Sequence, residues 1–162
     1  MEWCRITTSK LENPTVFVDA DSCPVKDEIV ELTSKYSMEP VFVASYAHVK
    51  NDTGREKWIF VDTGKEAADL YIMNAAHRGD VAVTQDIGLA STLLAKGVYV
   101  LSPRGILFEE ADIQTALDIR YLSAKARRQG MYGKGPKAFT QEDRQRFVTN
   151  LTKILSKFAG NP

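Results

Sequence analysis

The stretch TVFVDADSCP, Thr15 to Pro24, decides the fold. Its first half is an unbroken run of β-branched and aromatic residues, the pattern of a strand buried on both faces, and it runs straight into Asp19 and Asp21. Pro24 suits the first turn of a helix, with Ser22 or Cys23 at the cap. Beyond it Val25, Ile29, Leu32 and Tyr36 recur at the helical interval, which predicts an apolar stripe laid against a sheet. An acid at the carboxyl end of such a strand stands where α/β folds build their sites.

The same alternation continues outward. PVFVAS, ending at Ser45, reads as a second strand; YAHVKNDTGREK is polar and turn-rich, able to close over a site; and WIFVDT is a short third strand. A helix from about Gly64 to His77 carries Ala68, Ile72, Ala75 and Ala76 inward. The strand DVAVTQ, the helix IGLASTLLAKG and the strand VYVLS follow. This order predicts an α/β three-layer sandwich, with a mainly parallel sheet and helices on both faces. Past Pro103 the pattern becomes helical: DIQTALDIRYLSAKARRQG, a glycine-rich GMYGKGP, and a last helix opened by Thr140 with Asp143 three residues on, a capping-box spacing. Its stripe of Phe147, Leu151, Ile154, Leu155 and Phe158 docks that helix on the core. Residues 15–158 therefore read as one domain, preceded by a loosely held extension, residues 1–14, that lacks any period and ends in Asn13 and Pro14.

At 162 residues and 44% apolar composition one domain is also the default. No apolar run is long enough to span a bilayer and no signal-peptide core opens the chain, so the expected location is the cytoplasm, with no membrane partner. Cys4 and Cys23 read as reduced thiols. Net charge is zero, yet the chain divides after Pro103 into halves of about −5 and +5. An acidic half suited to a cation and a basic half suited to phosphates match what a metal nuclease requires.

Burying aspartate at a strand end costs free energy unless a partner compensates, and a divalent cation with oxygen ligands is a common partner for clustered carboxylates. Asp19 and Asp21 end the first strand, and Asp86 ends DVAVTQ in the same way, with Thr84 and Gln85 before it. Asp69 lies at the edge of the inward face of its helix, three residues before Ile72. Each acid has a plainer alternative: Asp21 and Asp86 as helix caps, Asp69 as a first-turn carboxylate favoured by the helix dipole. The expected cofactor is Mg²⁺ or Mn²⁺. Zinc is disfavoured because His48 and His77 are the only histidines and no Cys-x-x-Cys pair exists. Arg104, Arg127, Arg128 and Lys134 are the phosphate-binding candidates, and Ser22, Thr84 and Gln85 the supporting residues. The expected partner is nucleic acid, RNA ahead of DNA.

VFVDADSCP, VAVTQDIGLASTLLAKGVYVLSPRG and GKGPKAFTQEDRQRF, three separated motifs in order, resemble the YaiI/YqxD family of bacterial proteins, over about Thr15 to Leu155. The segment before Thr15 departs from that pattern. The family is similar in turn to PIN-like nuclease domains, which carry an acid after the first strand, one in a middle helix and one after a later strand; Asp19, Asp69 and Asp86 match those places, and Asp21 is an added acid of the YaiI/YqxD pattern. The resemblance implies a PIN-like fold and metal-dependent nuclease activity. Two other readings are a non-catalytic RNA-binding module, from the basic second half, and a haloacid-dehalogenase-like phosphatase, from the spacing Asp19-Ala20-Asp21. A homodimer that completes a substrate groove is compatible with the nuclease reading.

Overall fold

The computed structural model describes residues 13–45, 56–62, 64, 66–133 and 137–158, apart from the Ser22 side chain. The extension over residues 1–12, the loop at 46–55 with His48, and Lys134 lie outside them. Among the described residues five strands form one sheet: β1 (Thr15–Asp19), β2 (Glu39–Ser45), β3 (Lys57–Val61), β4 (Val81–Val83) and β5 (Tyr99–Leu101). They lie in the order β3-β2-β1-β4-β5, and every pairing is parallel. Five α-helices among the described residues cover it: α1 (Lys26–Lys35), α2 (Ala67–Ala75), α3 (Ile87–Ala95), α4 (Glu110–Arg128) and α5 (Gln141–Phe158).

Because side chains alternate across a strand, each central strand buries two sets of residues. Val16, Val18, Phe42, Val81, Val83 and Leu101 meet Val25, Ile29 and Leu32 beside α1 and the Phe147, Leu151, Ile154 and Leu155 stripe of α5. On the opposite face Phe17, Val41, Val43, Ala82 and Val100 meet Ala68 and Ile72 of α2, Leu89, Ala90 and Leu93 of α3, and Ile113 of α4. The molecule is thus the expected three-layer α/β sandwich, with two long helices at its C-terminal end. Parallel strands buried on both faces explain why VFV and VAV carry no polar residue.

One expected boundary moves. Pro24 and Val25 form a turn ahead of α1, whose N-cap is Val25 with no side-chain cap bond, so neither Ser22 nor Cys23 caps it. Residues Ala20–Ser22 spend the intervening chain in a 3₁₀ turn.

The last helix docks as its spacing predicts. Thr140 N–H donates to Asp143 Oδ2 at 3.0 Å and Asp143 N–H returns a bond to Thr140 Oγ1 at 3.1 Å. Arg104 adds an ion pair to Asp143 at 2.8 Å, and Arg146 another at 3.2 Å. The Thr140 backbone N–H, aided by the Thr140 side chain and both guanidiniums, holds Asp143 below the usual carboxylate range. The turn after β5 is closed against α5 by Asn150, whose side-chain amide donates to the Gly105 carbonyl at 2.6 Å.

Candidate functional site

The chain leaves β1 to build α1 and β2 on one side, and leaves α2 to enter β4 on the other. That reversal falls between β1 and β4, and open parallel sheets bind ligands outside the carboxyl ends of such strands. Asp19 is the last residue of β1, and Thr84, Gln85 and Asp86 follow β4 directly. In the parallel register Val18 lies beside Val83, so both strand ends open at the same level. Asp69, in the first turn of α2, reaches the same point from the helical layer.

Thr84, 1% exposed, ties the two strand ends together. Its hydroxyl lies 3.3 Å from Asp19 Oδ2 and accepts the Asp86 backbone N–H at 3.0 Å. Asp86 Oδ1 caps α3 by accepting from Leu89 N–H at 3.0 Å. The capping alternative for Asp86 is therefore real, but it occupies one oxygen, and the Asp86 charge also acts on Asp69.

The charges crowd one another. Burial, and after it the Asp21 and Asp86 charges, raise the Asp19 pKa against the lowering effect of the Thr84 bond. Asp69 is pushed up to about 7, first by burial, then by the charges of Asp86 and Asp19, by its hydrogen bond to Asp86 and by Glu66. Among the described residues, however, no three His, Cys, Asp or Glu side chains already stand as a group able to hold a metal ion.

This crowding has a consequence for stability. A carboxyl whose folded pKa lies above its unfolded one stabilises the fold while protonated; that contribution is complete below about 3.8 and is lost as pH rises through about 7. In EDTA, the Tm of Asp69→Asn is therefore expected to gain on that of the wild type from pH 5 to about pH 7 and to level off above it, by thermal melts. A constant difference across that range would remove the raised pKa.

Asp19 and Asp21 do not act as a side-by-side pair. While Asp19 leans to Thr84 on β4, Asp21 turns to the other neighbour and accepts Ser45 N–H, at the end of β2, at 3.0 Å. Asp21 does not cap α1, and its charge still adds to the load on Asp19. Ser45 and Glu66 were absent from the sequence reading. Glu66 precedes Asp69 by three residues, a helical neighbour that spacing could have flagged; Ser45 could have been found only from the register that sets Asp19 beside Val43.

Beside Asp21 opens a pocket of about 410 Å³, lined by Cys23, Lys26, Gln85, Arg104 and Phe139 among others. Arg104 also has structural partners. Besides Asp143 it donates to the carbonyls of Lys137 and Ala138 and lies 6.0 Å from the Phe139 ring, clamping the segment before α5. Burial pushes the Cys23 thiol up to about 11, which makes it a core residue rather than a nucleophile. Arg127 and Arg128 are exposed in the last turn of α4. Asp80 lies at the amino ends of the strands, accepting from Thr15 N–H at 3.1 Å and His77 N–H at 2.8 Å. No helix among the described residues is long and apolar enough to cross a membrane.

The model of the YaiI/YqxD family matches residues 17–157. The UPF0178 protein of Listeria welshimeri is 54% identical over 142 residues, 88% of this chain and 95% of the relative. That of Bacillus velezensis is 51% identical over 161 residues, 99% and 96% of the two chains, so its match takes in the segment before Thr15, which the shorter match to the Listeria welshimeri protein does not require. That of Bacillus pumilus is 50% identical over 147 residues, covering 90% and 89%. No solved structure matches. The matched span contains both strand ends, α2 and the docked α5, and the chain belongs to the YaiI/YqxD family.

Proposed function

We propose that the protein is a metal-dependent phosphodiesterase that cuts nucleic acid, RNA ahead of DNA, at the cluster of Asp19, Asp69 and Asp86. The observation that carries this reading is the convergence of those three acids at the carboxyl ends of β1 and β4, where the charges of Asp86 and Asp19 both act on Asp69. Gathering three acidic charges there costs free energy. Their cost is compensated when a cation binds, and an all-oxygen donor set suits Mg²⁺ or Mn²⁺. Such an ion would supply an activated water and charge stabilisation at the leaving oxygen. The resemblance to PIN-like domains supports the same three positions.

The chain's own residues have distinct tasks in this reading. Thr84 orients the Asp19 carboxyl through its hydroxyl, and Leu89 N–H pins Asp86 through its Oδ1. Asp21, anchored on Ser45, adds negative charge and borders the adjoining pocket, where Lys26 and Gln85 can meet a neighbouring phosphate or base. Arg127 and Arg128 are available to a longer strand.

The test is cleavage of labelled RNA and DNA oligonucleotides in Mg²⁺, Mn²⁺ or EDTA, with Mn²⁺ binding measured separately by calorimetry. Cutting that EDTA stops is expected. A folded protein that neither binds Mn²⁺ nor cuts, yet retains the oligonucleotides, would replace this reading with the RNA-binding module.

A further inference from the structure

Helix α4 buries one apolar stripe and leaves the large apolar Ile119 and Leu122 exposed on its far side. Ile113 is buried and Leu117 packs against the α2–α3 layer. On the far side Thr115, Ile119, Leu122, Ala126 and Gln129 follow one another at intervals of four, three, four and three, the spacing of a seam that pairs with another helix. Ile119 and Leu122 at its centre are 59% and 61% exposed. Single exposed apolar residues are ordinary; two on successive turns of one row at seam spacing are not. Leu107 before the helix and Met131 and Tyr132 after it are exposed too.

We infer that α4 pairs antiparallel with α4 of a second copy of this chain, forming a two-fold dimer with Ile119 of each copy against Leu122 of the other. Charge selects both the occupant and the direction. The helix is acidic toward its start, at Glu110, Asp112 and Asp118, and basic toward its end, at Arg120, Lys125, Arg127 and Arg128. A helix graded in this way is complementary to itself reversed. With Ile119 set against Leu122, Asp118 comes within two residues' rise, about 3 Å, of Lys125 of the partner subunit on the same edge of the seam. The two-fold axis makes that pair twice. A parallel pair would instead bring Asp118 level with its own equivalent. Asp118 now meets a neutral group, the Gln114 side-chain amide, at 3.2 Å. The reversed arrangement also carries the exposed Met131 and Tyr132 toward the partner's start of α4, where its own exposed Leu107 lies.

The experiment is the mass in solution by sedimentation or light scattering at micromolar concentration, with circular dichroism as the check on folding. The wild type is expected to be a dimer, and Leu122→Glu a folded monomer. Asp118→Lys and Lys125→Asp each set like charges against one another and are expected to weaken the dimer at least tenfold. Mixed in equal amounts, those two variants are expected to recover a heterodimer, since one copy carries two bases where the other carries two acids. A monomeric wild type overturns the inference, as does a dimer indifferent to Leu122→Glu. A dimer lost in both charge variants but not recovered on mixing overturns the antiparallel arrangement. A monomer whose Tm falls with Leu122→Glu would mean that the same chain covers the seam, and overturns it equally.

Discussion

Asp19→Asn and Asp86→Asn are each expected to lower metal-dependent cleavage by about a thousandfold or more, equivalent to roughly 4 kcal/mol of transition-state stabilisation. Each substitution is isosteric and removes one negative charge from a cluster that works through its charge. What distinguishes this from damage to the fold is the expected sign of the stability change. An asparagine at position 86 still caps α3, because Asn and Asp are equal N-caps, and an amide oxygen at position 19 still faces the Thr84 hydroxyl. Both variants meanwhile lose repulsion within the cluster. Their Tm in EDTA is therefore expected to equal or exceed that of the wild type, while Mn²⁺ binding weakens. Loss of activity with gain of stability is the trade-off of a strained functional site. Cleavage that persists in either variant would remove these acids from the chemistry; a lowered Tm in EDTA would make them structural.

Gly105→Ala is expected to be the most damaging small substitution in the turn that receives α5. Gly105 has φ +86°, and a Cβ there would stand 2.5 Å from Phe147 N and 2.6 Å from Arg146 C. Left-handed backbone costs an alanine about 1–2 kcal/mol, and overlap with a packed neighbour about 1–3 kcal/mol more. The neighbour here is helix backbone, which cannot rotate aside, and Phe147 is fully buried in the core. A Tm lowered by about 5–15 °C follows at this chain length. Gly130→Ala separates the two contributions, since Gly130 has φ +81° with nothing within 4 Å, so only the backbone term remains. Equal losses at the two positions would mean that close approach of α5 is not what position 105 serves.

The legible parts of the fold were those written in local periodicity. The strands VFV and VAV, the helical stripes Ile29-Leu32 and Phe147-Leu151-Ile154-Leu155, and the Thr140–Asp143 capping box all follow from patterns within a few residues of one another. The same is true of acids that end apolar strands, which is why Asp19 and Asp86 were found. Arg104 shows the limit. As a lone cation after β5 it read as a phosphate ligand, whereas it clamps carbonyls at 137 and 138 and a carboxylate at 143, more than thirty residues away.

By itself, then, the sequence determined the α/β class, the parallel sheet, the family and the acids available for chemistry, because hydrophobic period and residue type act over one turn or one strand. The tertiary structure alone decided which acids meet. The order β3-β2-β1-β4-β5 sets the ends of β1 and β4 side by side, brings Asp69 across from α2 to Asp86, and leaves Asp21 to Ser45 on the other neighbour. Strand order and side-chain direction in a turn depend on register between segments far apart in the chain, and that register is chosen by the burial of both sheet faces at once, which no local pattern records.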